Sequence, residues 1–306
     1  MKHLNIIHPS FKHGSNFQIG EFNHVFEDCE VGDDVKMRSY VELRPQTLIG
    51  NGCYLDSGVK SSGHNLIGNN VTLRYGAIIA REVTIEDDVF VSPNVMTVYL
   101  SHVGDKLGGT VIGKGAFIGT NAILGASVKI GQGSVIGMLS VVEHCVVEEG
   151  CMVRANVTIG SRGQSVKRQD DGSLKGVKVR GGVLLRKGCD IGAGAVINRG
   201  IERNTVIGEG TSIGPLSDIG HDVKIGKHCI IGAGTVISGY TEIGDYSRVS
   251  LGSTTKNRIK MGRNATVAIG SLVMKDVNAF QTVVGRPAVD IDEFRRHRNC
   301  LKKLLK

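Results

Sequence analysis

Residues 207–243 read IGEGTSIGPLSDIGHDVKIGKHCIIGAGTVISGYTEI. An aliphatic residue returns at every sixth position: Ile207, Ile213, Ile219, Ile225, Ile231, Ile237 and Ile243. The register continues to Val249 and, after Thr255, to Met261, Val267 and Val273. Gly follows most of these residues, as in Gly208, Gly214, Gly220, Gly226, Gly232 and Gly244. A short residue often stands two places before, as in Ser217, Cys229, Thr235, Thr241 and Ser247. A period of six fits neither an amphipathic helix nor an alternating strand. It fits hexapeptides whose short strands wrap a prism, each turn stacking on the last. The aliphatic side chain points inward, the short one fits beside it, and Gly relieves a tight corner. The expected fold class is all-β, a parallel β-helix of hexapeptide repeats with a short C-terminal α-helix.

The same period runs outward from this stretch. It starts at Ile19, skips Ser61, continues to Val91 and breaks at Thr97. The segment YLSHVGDKLGG at 99–109 does not fit and reads as a loop thrown out from a corner, where function often resides. The pattern returns at Ile112 and slips by one residue between Val142 and Val147. A second interruption at 161–180 carries Asp171-Gly172 between short polar arms, the mark of a hairpin turn. From Ile291 the apolar spacing turns helical, with acids first and bases last, as the helix dipole favours. The divisions expected are an N-terminal cap at 1–18, a first β-helix segment at 19–160 with its loop at 97–111, an excursion at 161–178, a second segment at 179–290 and a helix at 291–306. The coils add up to about ten turns, or roughly 50 Å at the spacing of paired strands.

The chain of 306 residues has 43 Gly, no Trp and a net charge of +8. Its basic residues are scattered and lack interleaved aromatics, which argues against nucleic acid and leaves anionic diphosphates or simple solubility as the reason for the charge. No apolar run spans a membrane, and the polar, His-containing start is no signal peptide, so a cytoplasmic location is expected. Cys29, Cys53, Cys151, Cys189 and Cys229 fall in the short inward slot, where free thiols pack as small apolar groups. Cys145 and Cys300 are left open by the register.

The stretch from Asn198 through Thr205-Val206-Ile207-Gly208 to Ser217-Asp218-Ile219-Gly220-His221-Asp222-Val223 resembles the catalytic region of the UDP-3-O-acylglucosamine N-acyltransferases of lipid A synthesis. Residues 217–288, ending in Val284-Gly285-Arg286-Pro287-Ala288, are similar to nucleotide-sugar N-acetyltransferases and sialic-acid O-acetyltransferases. The resemblance covers about residues 155–306. It implies a left hand for the helix, an exception to the usual crossover rule, together with a homotrimer and acyl transfer from a thioester. Two departures stand out. The chain has more coil where the lipid A enzymes carry an N-terminal α/β domain, and Asp222 occupies a position that is usually Asn.

His221 is the third residue of its hexapeptide and points outward. Asp218 and Asp222 are near enough in sequence to orient its ring or raise its basicity. Gly239 follows one coil later and stacks above it, where a backbone N–H suits an oxyanion. The resemblance gives His221 the role of base and Gly239 that of donor, with Asp222 beside them. His102 and Asp105 in the loop are candidate substrate contacts. Gly252, Lys256, Gly270, Gly285 and Arg286 match the acetyltransferase relatives and are the expected contacts for coenzyme A. No metal is expected: His228 lies seven residues after His221, the two-His spacing of the γ-class carbonic anhydrases is five, and zinc needs three or four placed ligands.

The expected activity is transfer of an acyl group, taken as acetyl, from acetyl-CoA or another acyl-CoA to the amine of a nucleotide-linked sugar, in lipopolysaccharide or surface-polysaccharide synthesis. The polar positions Ser238, Tyr240, Thr241 and Glu242 around Gly239 favour a short acyl group. Competing readings are a lipid A-type N-acyltransferase fed by an acyl carrier protein that docks on the basic tail, a γ-carbonic-anhydrase-like metalloenzyme, and a non-catalytic β-helix scaffold.

Overall fold

The computed structural model describes residues 4–100, 109–285 and 290–304. Three parallel sheets of 14, 13 and 14 strands run the length of a single β-solenoid. We call their faces A, B and C in the order in which the chain visits them. Most strands are two residues long, one residue pointing out and one in: Asp218 is exposed and Ile219 buried, Lys224 exposed and Ile225 buried. Each strand pairs with its counterpart one coil on, so Ile219 stacks on Ile237 and Ile225 on Ile243. The interior is therefore a set of aliphatic columns, each fully buried Ile, Leu or Val contributing about 1.5–3 kcal/mol. Cys145 joins the five inward cysteines in this interior, and Cys300 is exposed.

Several expectations need correction. The solenoid has 14 turns rather than ten, which makes it about 60 Å long at the spacing of paired strands. It starts at Ile6, not Ile19: Ile6–Ile7, Lys12–His13 and Gln18–Ile19 are the first strands of faces A, B and C, so the described part of 1–18 is itself a coil. Ser61 and Thr97 do not leave the register either. Both are buried inward residues, held because their hydroxyls find partners: Ser61 donates to Asn65 Oδ1 at 2.6 Å, and Thr97 Oγ1 accepts from the Ala80 N–H at 2.6 Å.

The role of Gly also differs. The left-handed residue of most corners is three places after the inward residue, and it is often not Gly: Asp222 has φ 58°, Tyr240 59° and Arg258 64°. The Gly directly after the aliphatic is needed because the next coil passes so near. A Cβ at Gly220 would stand 2.6 Å from the Gly239 nitrogen.

Every departure from six-residue spacing between successive faces falls at the corner from face A to face B. Fifteen residues separate Thr97 from Ile112, five separate Val142 from Val147, twenty-six separate Ile159 from Leu185 and ten separate Ile197 from Ile207. The other two corners keep the period up to Val273. The longest insertion contains an antiparallel ribbon, Val166–Arg168 with Leu174–Gly176, turned through Gly172. The helix Ile291–Leu304 follows the solenoid.

Candidate active site at the corner between faces A and B

His221 follows the strand Asp218–Ile219 at this same corner, one coil after the insertion between Ile197 and Ile207. Its side chain is 20% exposed. Its Nδ1 lies 3.0 Å from Asp222 Oδ2. Asp222 is wholly buried and accepts three backbone N–H groups from the inserted segment: Ile201 at 2.7 Å, Glu202 at 3.0 Å and Arg203 at 2.8 Å. Burial alone raises this carboxyl. The Arg203 and Ile201 N–H groups, the His221 ring and the Glu202 N–H outweigh it and hold Asp222 below the usual carboxylate range. A site that offers four donors needs an acceptor on every lone pair, which a carboxylate supplies and an amide does not. With Nδ1–H donating to Asp222, Nε2 carries the free lone pair.

Gly239 lies directly above the ring. A Cβ there would stand 2.7 Å from His221 Cε1 and 2.8 Å from Nε2, so only Gly lets the imidazole occupy this place. Among the described residues the Gly239 N–H has no hydrogen-bond acceptor, although its neighbours Ser238 and Tyr240 donate to Thr255 Oγ1 and the His221 carbonyl. The Tyr240 ring meets His221 edge to face at 5.0 Å, and the Arg258 guanidinium covers Tyr240 at 4.2 Å. An imidazole, the carboxylate that orients it and an uncommitted N–H thus meet at one corner, an arrangement that acyl transfer can use.

The hexapeptide family model described as "Bacterial transferase hexapeptide (six repeats)" matches residues 109–144 and 204–239. Both stretches are thus similar to the hexapeptide repeat of bacterial transferases. The second matched stretch runs through His221 and ends on Gly239. A search of curated proteins found no match. Among solved structures, the UDP-N-acetylglucosamine acyltransferase of Francisella novicida is 21% identical, with 72% of this chain and 71% of that one covered and a TM-score of 0.47. The enzyme of the same name from Campylobacter jejuni is 21% identical over 74% of this chain and 81% of that one, at 0.44. The perosamine N-acetyltransferase of Caulobacter crescentus, solved in complex with CoA and GDP-perosamine, is 18% identical over 35% of this chain and 52% of that one, at 0.28.

The remaining candidates do not gather at this corner of the hexapeptide coil. Gly252 and Gly270 are left-handed residues of the opposite edge of face A, and Gly285 joins them there by donating its N–H to Ser271 Oγ at 2.7 Å. Lys256 is exposed on the same edge as His221, two coils above Gly220. These candidate residues therefore flank face A from both sides. Asp218 does not touch the imidazole; it accepts from Asn198 Nδ2 at 2.9 Å, and burial raises its carboxyl. Thr241 is not an outward position: it is fully buried in the coil. His102, Asp105 and Arg286 lie outside the described residues. The segment 201–203 that holds Asp222, and the Tyr240–Arg258 stack, went unnoticed in the sequence. The only trace of the former is the ten-residue step between Ile197 and Ile207.

Among the described residues no three His, Cys, Asp or Glu side chains form a metal-binding group, and no helix is long and apolar enough to cross a membrane.

Proposed function

We propose that this chain is an acyltransferase that moves a short acyl group from an acyl-CoA thioester to the amine of a nucleotide-linked sugar. The observation that carries the reading is the His221–Asp222 pair at 3.0 Å beneath Gly239, whose N–H is uncommitted. His221 Nε2 takes a proton from the amine as its nitrogen attacks the thioester carbonyl. Asp222 steadies the imidazolium, and the Gly239 N–H receives the developing oxyanion. Collapse expels the thiolate of coenzyme A, which recovers the proton from His221. Polar Ser238 and Glu242 beside Gly239 support a short acyl group, as does the solved perosamine N-acetyltransferase with its bound CoA. The lipopolysaccharide or surface-polysaccharide setting and the cytoplasmic location follow from that substrate class.

A homotrimer belongs to the same reading. From the fifth rung on, the outward residues of face A are Ile78, Met96, Ile123, Val141, Thr158, Val196, Asp218, Val236, Thr254 and Leu272; the four rungs before them carry Ile6, His24, Glu42 and Lys60. These later ten rungs, charged only at Asp218, lie beside the His221 edge and are suited to burial against a neighbour under closed symmetry.

The test is thiol release from acetyl-CoA, with mass detection of product, across a panel of UDP- and dTDP-linked amino sugars. A positioned base contributes about 10²–10⁴ in rate, and His221→Ala should lose that much while folding normally. A silent His221→Ala variant, or zinc-dependent carbon dioxide hydration in place of thiol release, would end this reading.

A further inference from the structure

One coil below His221, the foot of the long insertion is knotted to the segment that cradles Asp222. The Arg199 N–H donates to the Ser161 carbonyl at 3.0 Å, and Arg199 Nη2 donates to the Val179 carbonyl at 3.0 Å. Arg162 Nη2 donates to the Ser165 carbonyl at 2.9 Å, and that carbonyl also accepts from Val177 N–H. Two polar atoms in this knot are buried without a partner, Arg199 Nε and Ser165 Oγ. A buried polar atom left unpaired is destabilising, the more so where charge is involved. Both atoms belong to the foot of the insertion, where the Arg162 guanidinium also acts on Arg199 as a like charge, and together they call for a ligand that accepts hydrogen bonds and carries negative charge. Burial first, and then the like charge of Arg162, destabilise the charged form of Arg199, while Glu143 only partly offsets them.

We infer that Arg199, Arg162 and the Ser165 hydroxyl form an anion site that receives the diphosphate of the nucleotide-linked acceptor. A guanidinium fork matches phosphate oxygens in pairs, and a hydroxyl adds a further donor. Position agrees with chemistry. Arg199 is two residues from Ile201, whose N–H holds Asp222, and one to two rungs place the site about 5–10 Å from His221. One hexose ring spans that interval between its anomeric phosphate and an amine. This inference rests on the acyltransferase reading for the sugar, but the anion site is measured without any chemistry.

Two sources of diphosphate exist, the acceptor nucleotide and coenzyme A, and titration calorimetry on the full chain separates them. The probes are UDP and coenzyme A, each against the wild type, Arg199→Gln, Arg199→Lys and Arg162→Gln. The expected result is at least a tenfold weaker UDP dissociation constant for Arg199→Gln, a smaller loss for Arg162→Gln, partial recovery in Arg199→Lys, and unchanged coenzyme A affinity. Unchanged UDP binding in Arg199→Gln, or loss of coenzyme A binding in its place, would overturn the assignment. Should Arg199→Gln fail to fold, exposed Arg162 decides the matter alone: wild-type UDP affinity in Arg162→Gln would overturn the site. Failure of the acyltransferase reading looks different, as UDP bound through Arg199 with no thiol released by the wild type.

Discussion

Adding one methyl group above the imidazole probes the candidate site most directly. In Gly239→Ala the new Cβ would sit 2.7 Å from His221 Cε1 and 2.8 Å from Nε2. Carbon atoms settle at about 3.5–4.0 Å, so the ring must yield by roughly 1 Å. It has room to do so, because its side chain is 20% exposed and is held by one hydrogen bond, to Asp222, and the edge-to-face contact with Tyr240. Folding should therefore suffer little, by about 1 kcal/mol at the low end of overpacking costs. Catalysis should suffer more: a 1 Å misplacement costs about 10²-fold in rate. The assay is thiol release from acetyl-CoA on the best amino-sugar acceptor, with thermal unfolding alongside. Gly133→Ala is the control, since its Cβ meets nothing within 4 Å and only its φ of 63° is strained. Gly239→Ala turnover within threefold of wild type would show that the ring's place under Gly239 has no part in the reaction.

Asp222→Asn tests the cradle. The carboxyl is depressed in the folded chain, so its stabilising contribution is present above the unfolded value near 3.9 and is lost as pH falls through the lower folded one. Denaturant unfolding should show the variant less stable by about 1.5–3 kcal/mol at pH 7, with the gap closing below about pH 4; a gap independent of pH would refute the charged cradle. His102→Ala should raise KM with little change in kcat, and abolished turnover with an active His221→Ala would move the chemistry to the first half of the chain. Light scattering should give a trimer at micromolar concentration, and a monomer would remove face A as an interface. Competition of acetyl-CoA against a long-chain acyl carrier protein should favour acetyl-CoA; preference for the carrier protein would assign the basic helix Ile291–Leu304 to its docking.

The coil was legible because a period of six leaves little else for the chain to do, and the His221–Gly239 pairing because residues 18 apart share a column. What stayed hidden depends on counting through slips. Ser61 and Thr97 look like breaks by hydropathy, yet their hydroxyls are satisfied inside, so polarity alone misreported the register at these two positions. The cradle of Asp222 is made of backbone N–H groups, which carry no side-chain signature. The demand for Gly220 comes from a neighbouring coil and not from its own dihedral angles.

The confinement of every irregular step to one corner has a consequence for how such a chain can change. Lengthening a loop that leaves the solenoid costs only about 0.6 kcal/mol per doubling, because the ends are already held together by the rungs. Residues can thus be gained at that edge, as between Ile159 and Leu185, or lost, as between Val142 and Val147, without altering the height at which any later side chain stands. One residue added at either plain corner would instead pass along the rung and turn an aliphatic side chain out to solvent. The molecule separates a frame of constant step length from one margin of irregular steps, and insertions on that margin leave His221, Asp222 and Gly239 at their relative heights.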